Sequence, residues 1–441
     1  INIKESFNLN KKKEVKVILK LIKNYKPVIL IVDSYDINFN WEKKYSNNVK
    51  ILAIDDLANR KHISDYLLDY SLNRNTENYS KLINKNSLNF LGSDFFLYDK
   101  NIPSYRKKSF NNQILCKTKT CIINFGGADN NNLLFSIVKN ILRYKIFNNV
   151  FFYLVVGHNK DLYLKIYSLL ENHLSRKHKF KLLNVVKNMP KIYSICDFAI
   201  GAAGVSAYER LMLGIPSIQI KAYNNQEYNY NEFLNSNLII KLSNFSKINL
   251  LNAFSSLKEK KYKIFKLSFS LYCKNNYLFI YNLLFENKNL YKNYVSLKPI
   301  STRDINFLLH IQNKENVRKY FKKKSKISIT EHKKWFKIKF NDNKIIIYKI
   351  CLGNLNIGYF KLENINIETF DISILIDPDF QKRGIAKKIL NLIKKIMSDK
   401  KLIAEVHKEN LISKKLFINN GFRVENSKNN FDLLSFENAK N

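Results

Sequence analysis

Apolar and polar positions come in blocks through the first two thirds of the chain. "KPVILIVDSYDIN" (26–38) is a continuous β-branched run after Pro27 that ends in polar residues, the pattern of a parallel strand buried on both faces and followed by a loop. "VKILAIDDLANR" (49–60) repeats it, and "CIINFGGADNNNLLFSIVKNIL" (121–142) runs from strand through a Gly-Gly turn into a helix with apolar residues at helical spacing. "NVFFYLVVGHN" (149–159), "FKLLNVV" (180–186), "CDFAIGAAG" (196–204) and "IPSIQIK" (215–221) continue the alternation. Strands that alternate with helices predict doubly wound α/β domains. One is expected over 1–117 and a second over 118–285, the latter closed by an amphipathic helical stretch at 247–285.

The polar, unpatterned segment 286–298 reads as a linker, and beyond it the pattern changes. Residues 299–320 look helical, "NKIIIYKICLGNLNIGYFKLENI" (343–365) reads as a hairpin turning at Gly353-Asn354, and 369–397 reads as strand, loop and helix. A separate α+β domain over 299–441 follows.

Composition narrows the function classes. The 441 residues are 46% hydrophobic, ample for folded cores, and no apolar run reaches the roughly 18 residues of a membrane span. No membrane insertion is therefore expected. The formal charge of +39 invites a nucleic-acid partner. Its lysines are spread along the whole chain, however, as a coding bias would leave them, and no arginine-plus-aromatic stripe accompanies them, so no specific nucleic acid is expected. Five cysteines with no C-x-x-C suggest neither a disulfide framework nor a zinc site, which fits a reducing cytoplasm and no metal.

Against this background the 11 glycines are informative, and three of them fall in "IGAAGVSAYERLMLGIPSI" (200–218). A strand there passes through a glycine loop into a helix. Such a helix start presents free N–H groups and a positive dipole end, and Gly201 and Gly204 would let a phosphate approach the backbone. A tight strand–helix turn with glycines for packing alone fits the same residues.

"CDFAIGAAGVSAYERLMLGIPSI" followed by "NNQ", with "INFGGADNNNL" and "VDSY…ILAIDDLANRKHISDYLLDYSLN" upstream, resembles the UDP-sugar hydrolases of pseudaminic acid biosynthesis. The match runs in family order over roughly 26–240. It implies the paired-Rossmann GT-B arrangement, with the first domain incomplete. By position, Gly201, Gly204, Ser206 and the following amides would hold the diphosphate of UDP. Glu209 would accept from the ribose hydroxyls, and Gly126 and Gly127 would line the opposite edge of the cleft. Tyr35 in "VDSY" and Asn225 in "NNQ" match positions near the sugar, and Tyr35 follows a strand's carboxyl end, where open α/β sheets bind ligands. Asp33, Asp55 and Asp56 could equally be caps or loop hydrogen-bonders, and His62 and His158 read as structural or surface residues. The family opens with a Gly-x-Gly-His-x-x-Arg loop whose histidine is the proposed base; the chain begins at Ile1 without that segment, so slow hydrolysis is expected.

In the last domain, Gln381, Lys382, Arg383, Gly384, Ile385 and Ala386 resemble the Q/R-x-x-G-x-G/A signature of GNAT acetyltransferases. "LIAEVHKENLISKKLFINNGFR" (402–423) and "VRKYF…ITEHKKWF" extend the likeness over about 297–430, nearest the branch that acetylates amino-sugar nucleotides or protein N-termini. The resemblance implies that amides near Ile374 and Ile376 and those of 382–386 bind acetyl-CoA, with Asn410 and Ser413 along its pantetheine arm. Glu405 would take the acceptor's proton, and Phe417 stands where many relatives carry a tyrosine acid.

The whole reads as a bifunctional enzyme with UDP-sugar and acetyl-CoA as ligands: a UDP-sugar hydrolase acting on a 2,4-diacetamido-2,4,6-trideoxyhexose, joined to an amino-sugar N-acetyltransferase. A GT-B glycosyltransferase half, or a non-catalytic UDP-sugar-binding module joined to an active acetyltransferase, are the rival readings.

Overall fold

The computed structural model describes residues 11–115, 117–126, 132–144, 147, 149–172, 179–269, 294–353, 355–366, 368–397 and 400–437. Gly127, Asn354, the end of the expected helix at 270–285 and linker residues 286–293 lie outside the described residues. The described residues divide into two compact units, 11–97 and 98–437.

In the first unit, strands β1 (Ile29–Val32), β2 (Lys50–Ile54), β3 (Tyr66–Asp69) and β4 (Leu88–Leu91) form a parallel sheet in chain order. Its apolar runs are buried as the patterning predicts: Ile51, Leu67 and Leu68 are fully enclosed. The polar residues that close each run, Asp33, Asp55, Asp56 and Asp69, therefore gather along one edge of the sheet, because parallel strands all end on the same side.

The second unit opens with a helix, Ile102–Ile114, that docks on the elements following it. Its Ser109 Oγ donates to Leu213 O at 2.6 Å and its Gln113 Nε2 to Cys196 O at 2.8 Å. The first boundary thus lies near residue 97 rather than 117, since the polar face of this helix is spent on the second unit's carbonyls.

Strands β5 (Thr120–Asn124), β6 (Phe151–Val155), β7 (Lys179–Leu183), β8 (Phe198–Ala202), β9 (Ser217–Ile220) and β10 (Ile240–Lys241) form a parallel sheet ordered β10-β9-β8-β5-β6-β7. Counted from β5, this is the 3-2-1-4-5-6 order of the dinucleotide fold, and the chain reverses direction of winding between β5 and β8. The core is built from Cys121, Ile123, Phe152, Leu154, Phe198 and Ile200 of the strands against Ile137, Ile141 and Leu162 of the helices.

A third sheet follows in the same unit: β11 (Val295–Pro299), β12 (Ile345–Leu352), β13 (Leu355–Asn364), β14 (Thr369–Ile376), β15 (Lys401–His407), β16 (Arg423–Lys428) and β17 (Phe431–Phe436), ordered β11-β12-β13-β14-β15-β17-β16. Val295–Lys298, expected as linker, pair antiparallel with β12 and open this sheet. Only β14 and β15 pair in parallel, joined by the helix Ile385–Ile396.

The long helix Lys247–Phe269 binds the third sheet to the second. Tyr348 OH of β12 donates to Lys266 O at 2.7 Å, and Lys263 Nζ donates to Asp342 O at 2.9 Å. The Lys266 ammonium, 4% exposed, sits 5.1 Å from the Phe110 ring and 5.2 Å from that of Phe265. A buried cation needs such a negative ring face or a counter-ion. The third domain is thus bolted to its neighbour by side chains that its own sequence pattern does not reveal.

Candidate functional site

The winding reversal between β5 and β8 puts two turns side by side at the carboxyl edge of the second sheet. Gly126 ends β5 with φ +105°, a conformation other residues seldom adopt, and nothing lies within 4 Å of the place a Cβ would occupy. Across from it, β8 passes through Gly204 into the helix Val205–Met212, whose first turn has no side-chain cap. Ala207 N donates to Gly204 O at 2.9 Å, and the helix start with its dipole end stands at the carboxyl end of β8, where an anion site would need it.

The glycines of this loop serve different ends. A Cβ on Gly201 would stand 2.3 Å from Asn124 O of the adjacent strand and 3.2 Å from Arg210 Nη1. Gly201 is therefore a packing residue inside β8, which corrects the expectation that it clears space for a phosphate. Gly204 has ordinary φ, and a Cβ there would meet only the Gln226 amide at 3.2 Å.

Arg210 was not singled out in the sequence, though an arginine on the apolar face of "YERLMLG" was the available signal. It is 1% exposed, its Nη2 donates to Ala202 O at 2.8 Å, and it makes no ion pair among the described residues. Gln219, in register with Gly201, is fully buried, and neither of its amide atoms has a hydrogen-bond partner. The loop thus has a positive charge and unsatisfied polar groups packed directly behind it. Glu209, on the same helix, is pushed up to about 7 by burial and by the charge of Asp99, against the pull of Arg210. Ser206 lies in the first turn, half-buried, and Asn225 stands exposed in the short turn Asn224–Gln226 after β9.

In the first unit Tyr35 follows β1, 52% exposed, with its hydroxyl donating to Asp56 Oδ2 at 3.2 Å. His62 is structural, as its sequence context suggested: Nδ1 lies 2.6 Å from Glu42 Oε1 and Nε2 3.7 Å from Asp55 Oδ2. Burial alone would lower its pKa, but the hydrogen bonds and charges of Asp55 and Glu42 outweigh that and raise it to about 9. His158 is exposed.

In the third sheet, β14 and β15 pair only from Thr369 opposite Lys401 to Asp371 opposite Ile403, although the strands run on to Ile376 and His407. Beyond that point they diverge and leave facing backbone groups, those of Ile374 and Ile376 among them, unpaired with one another. The turn at the end of β14 is left-handed at Lys382 (φ +60°) and Gly384 (φ +71°), and Gly384 has open space where a Cβ would stand. Consecutive amides in a left-handed turn are the geometry from which an anion cradle can be built, and this one stands at the start of the Ile385–Ile396 helix. Gln381 braces it, Nε2 donating to Ile376 O at 2.9 Å. Arg383 holds the turn from Asp379 O at 3.2 Å, Ile385 is buried beneath it and Ala386 is half-buried.

Asn410 caps the helix Leu411–Ile418, Oδ1 accepting from Ser413 N at 3.1 Å, so this pair has a structural duty beside any ligand. Phe417 is buried against Phe422, with ring centroids 5.0 Å apart. Glu405 does not stand free: Lys322 Nζ lies 2.7 Å from its carboxylate. Among the described residues no group of three or more His, Cys, Asp and Glu could hold a metal, and no helix is long and apolar enough to cross a membrane.

Residues 295–423 match the acetyltransferase (GNAT) domain family. The third sheet and its helices are a GNAT acetyltransferase domain. Over its length the chain is 23% identical, across 421 residues, to an uncharacterized protein of Methanocaldococcus jannaschii, covering 92% of this chain and 83% of that one. Among solved structures it is similar to a domain from Methanocaldococcus jannaschii (21% identity, 32% of this chain and 97% of that one, TM-score 0.30). Spermidine N-acetyltransferase of Vibrio cholerae in complex with CoA and spermine is another (22%, 32% and 92%, TM-score 0.28). A third is the N-acetyltransferase PseH of Campylobacter jejuni in complex with acetyl coenzyme A (17%, 33% and 99%, TM-score 0.26).

Proposed function

We propose that the chain is a bifunctional enzyme of nonulosonic (pseudaminic) acid synthesis, a UDP-sugar hydrolase joined to an acetyl-CoA-dependent N-acetyltransferase of amino-sugar nucleotides. The observation that carries the first half is the uncapped helix start at Gly204, set at the winding reversal of the second sheet with the Arg210 guanidinium buried behind it. A diphosphate there would take the free amides of the first turn and be drawn by the buried charge, while Glu209 accepts from ribose hydroxyls and Gly126 leaves room on the facing edge.

For the second half, the diverging edges of β14 and β15 fit the amide-bearing pantetheine arm, and the Gly384 turn fits the pyrophosphate of acetyl-CoA. Acetyl-CoA supplies the activated acetyl group. The chain's own part is to hold the carrier, keep the acceptor amine uncharged and receive its proton. Glu405 can do the last only if the amine displaces Lys322.

Product analysis with a UDP-2,4-diacetamido-2,4,6-trideoxyhexose tests the first half. Free sugar with UDP supports hydrolysis, a transferred sugar supports the glycosyltransferase, and UDP binding without turnover supports a binding module. Release of CoA thiol in the presence of an amino-sugar nucleotide tests the second.

A further inference from the structure

Where the helix Lys247–Phe269 runs between the second and third sheets, which belong to one compact unit, it leaves a partly open cavity of about 250 Å³. One wall is the end of the second sheet around Lys241, and the other is the stretch from Phe340 to Asn343 that closes the helix Ile329–Asn341. Asn237 Nδ2 donates to Phe340 O at 3.3 Å and Asn343 Nδ2 to Glu259 Oε1 at 2.8 Å, which ties the walls together. Junctions of this kind are favoured places for small ligands.

The polar lining is mostly cationic. Ser256, Lys260 and Lys263 stand at helical spacing and share one face of the helix, and Lys241 is added from β10. Lys263 is not one of the solvated lysines that a coding bias scatters, since it is only 6% exposed. Its Nζ donates to Phe340 O at 2.5 Å and Asp342 O at 2.9 Å and lies 5.8 Å from the Phe340 ring. Two of its three protons are thereby placed. Its charge is not matched, because none of the three lysines is in an ion pair among the described residues, and Lys260 adds a like charge beside it. Cations gathered in an enclosed space without a counter-charge cost stability until an anion joins them.

We infer that this cavity binds a small phosphate-bearing metabolite, held by the ammonium groups of Lys260 and Lys263, with Lys241 at its mouth and the Ser256 hydroxyl donating to a phosphate oxygen. The site is separate from the turns at Gly204 and Gly384 and rests on neither proposed activity. Lysines act as point charges that suit a dianion, whereas a carboxylate is better met by the planar fork of an arginine, and no arginine is among the described lining residues. Burial and the charge of Lys260, set against Asp342, bring the Lys263 ammonium down to about 8. The other charged groups around it are Lys241 on β10, Glu259 on its own helix, which Asn343 engages, and Asp342, whose Oδ1 accepts from Lys344 N at 2.8 Å.

The test uses the full chain with saturating UDP and CoA, so that the two glycine turns are occupied, and follows inorganic phosphate and glucose 6-phosphate by calorimetry at constant ionic strength. Lys263→Met is expected to weaken phosphate about tenfold or more, and Lys260→Gln by about three- to tenfold. Lys260 is half-buried and makes no ion pair, so its variant keeps the fold even if Lys263→Met does not. Lys139→Gln, exposed on the helix Leu133–Tyr144 away from the cavity, should leave affinity within about twofold. Wild-type affinity should also fall by about tenfold between pH 8 and 9.5 as Lys263 loses its proton, while lysines of ordinary pKa, about 10.4, keep theirs. Tighter binding of glucose 6-phosphate identifies a sugar monophosphate as the occupant and tighter inorganic phosphate the free ion, and either supports the site. An adventitious ion only is shown by a loss as large in Lys139→Gln as in Lys260→Gln. That result, an affinity unmoved from pH 8 to 9.5, or no heat of binding at millimolar phosphate overturns the inference.

Discussion

Two glycine turns that look alike in the sequence, 201–209 and 381–386, differ in what their glycines are for. At the first, Gly201 is enclosed by Asn124 O and Arg210, and Gly204 has φ −85°, so neither needs left-handed backbone. At the second, Lys382 and Gly384 are both left-handed, and Gly384 has nothing above it. The first turn is a packed joint with a charge buried behind it, and the second is an open cradle. Glycine therefore reports close approach of the protein to itself at Gly201 and open space above a left-handed turn at Gly384.

The largest effect should come from closing the open cradle. Gly384→Asp places a carboxylate where pyrophosphate is expected and forces a non-glycine residue to φ +71°, a strain of about 1–2 kcal/mol. Acetyl-CoA affinity by calorimetry is expected to fall at least 100-fold, about 3 kcal/mol. Gly384→Ala, which adds no charge and meets no atom, should cost stability by the strain alone. Equal acetyl-CoA affinity in Gly384→Asp and wild type would break the contrast.

At the packed turn the expected effects are on folding instead. Gly201→Ala forces a shift of the Asn124 carbonyl or the Arg210 guanidinium and should destabilise the second unit by about 1–3 kcal/mol in denaturant unfolding, with or without UDP. Gly204→Ala displaces only the end of a flexible glutamine and should stay within about 0.5 kcal/mol. If the two variants unfold alike, the division between packing and access is wrong.

Glu209 sharpens the same comparison through pH. Its carboxyl titrates near 7, and only the ionised form accepts two ribose hydroxyl bonds well. UDP binding should thus be strongest above pH 7 and weaken as pH falls, by up to about tenfold per unit below that value. Glu209→Gln should flatten the profile and cost about 1–3 kcal/mol of affinity at pH 8. A wild-type affinity that does not change between pH 8 and 6 removes Glu209 from the site.

How much of this was legible beforehand depends on the length scale of the cause. The β-branched runs dictate buried strands, so "KPVILIVDSYDIN" and "NVFFYLVVGHN" fall into β1 and β6 as expected, and the polar residues closing each run land on one sheet edge. The loop from β14 into the Ile385–Ile396 helix was equally readable, though its left-handed backbone at Lys382 and Gly384 was not. What the pattern hides is pairing between distant residues. Nothing in "DDLA" tells Asp55, consumed by Tyr79 and Arg60, from Asp56, met by Tyr35 alone. The space at Gly201 is set by a residue 77 positions upstream on a neighbouring strand. Glu405 looks like a free strand carboxylate until Lys322 arrives from a loop 83 positions upstream.

A small effect is also expected at the seam between the second and third sheets, where the sequence suggested a linker and a freestanding domain. Tyr348, on β12, is 5% exposed and spends its hydroxyl on Lys266 O, so its ring and its hydrogen bond both belong to the Lys247–Phe269 helix. Tyr348→Phe keeps the ring and leaves a buried carbonyl short of one donor, a loss of about 1 kcal/mol. If the seam is part of one cooperative fold, that loss should appear equally whether unfolding is followed through UDP binding at the second sheet or through acetyl-CoA binding at the third, because both report the same transition. If the GNAT domain instead unfolds independently, the UDP-reported transition stays where it was and only the acetyl-CoA-reported one moves. In that event residues 294–437 also fold without the Lys247–Phe269 helix, and the buried ammonium of Lys266 among its rings belongs to the second sheet's stability rather than to the joint.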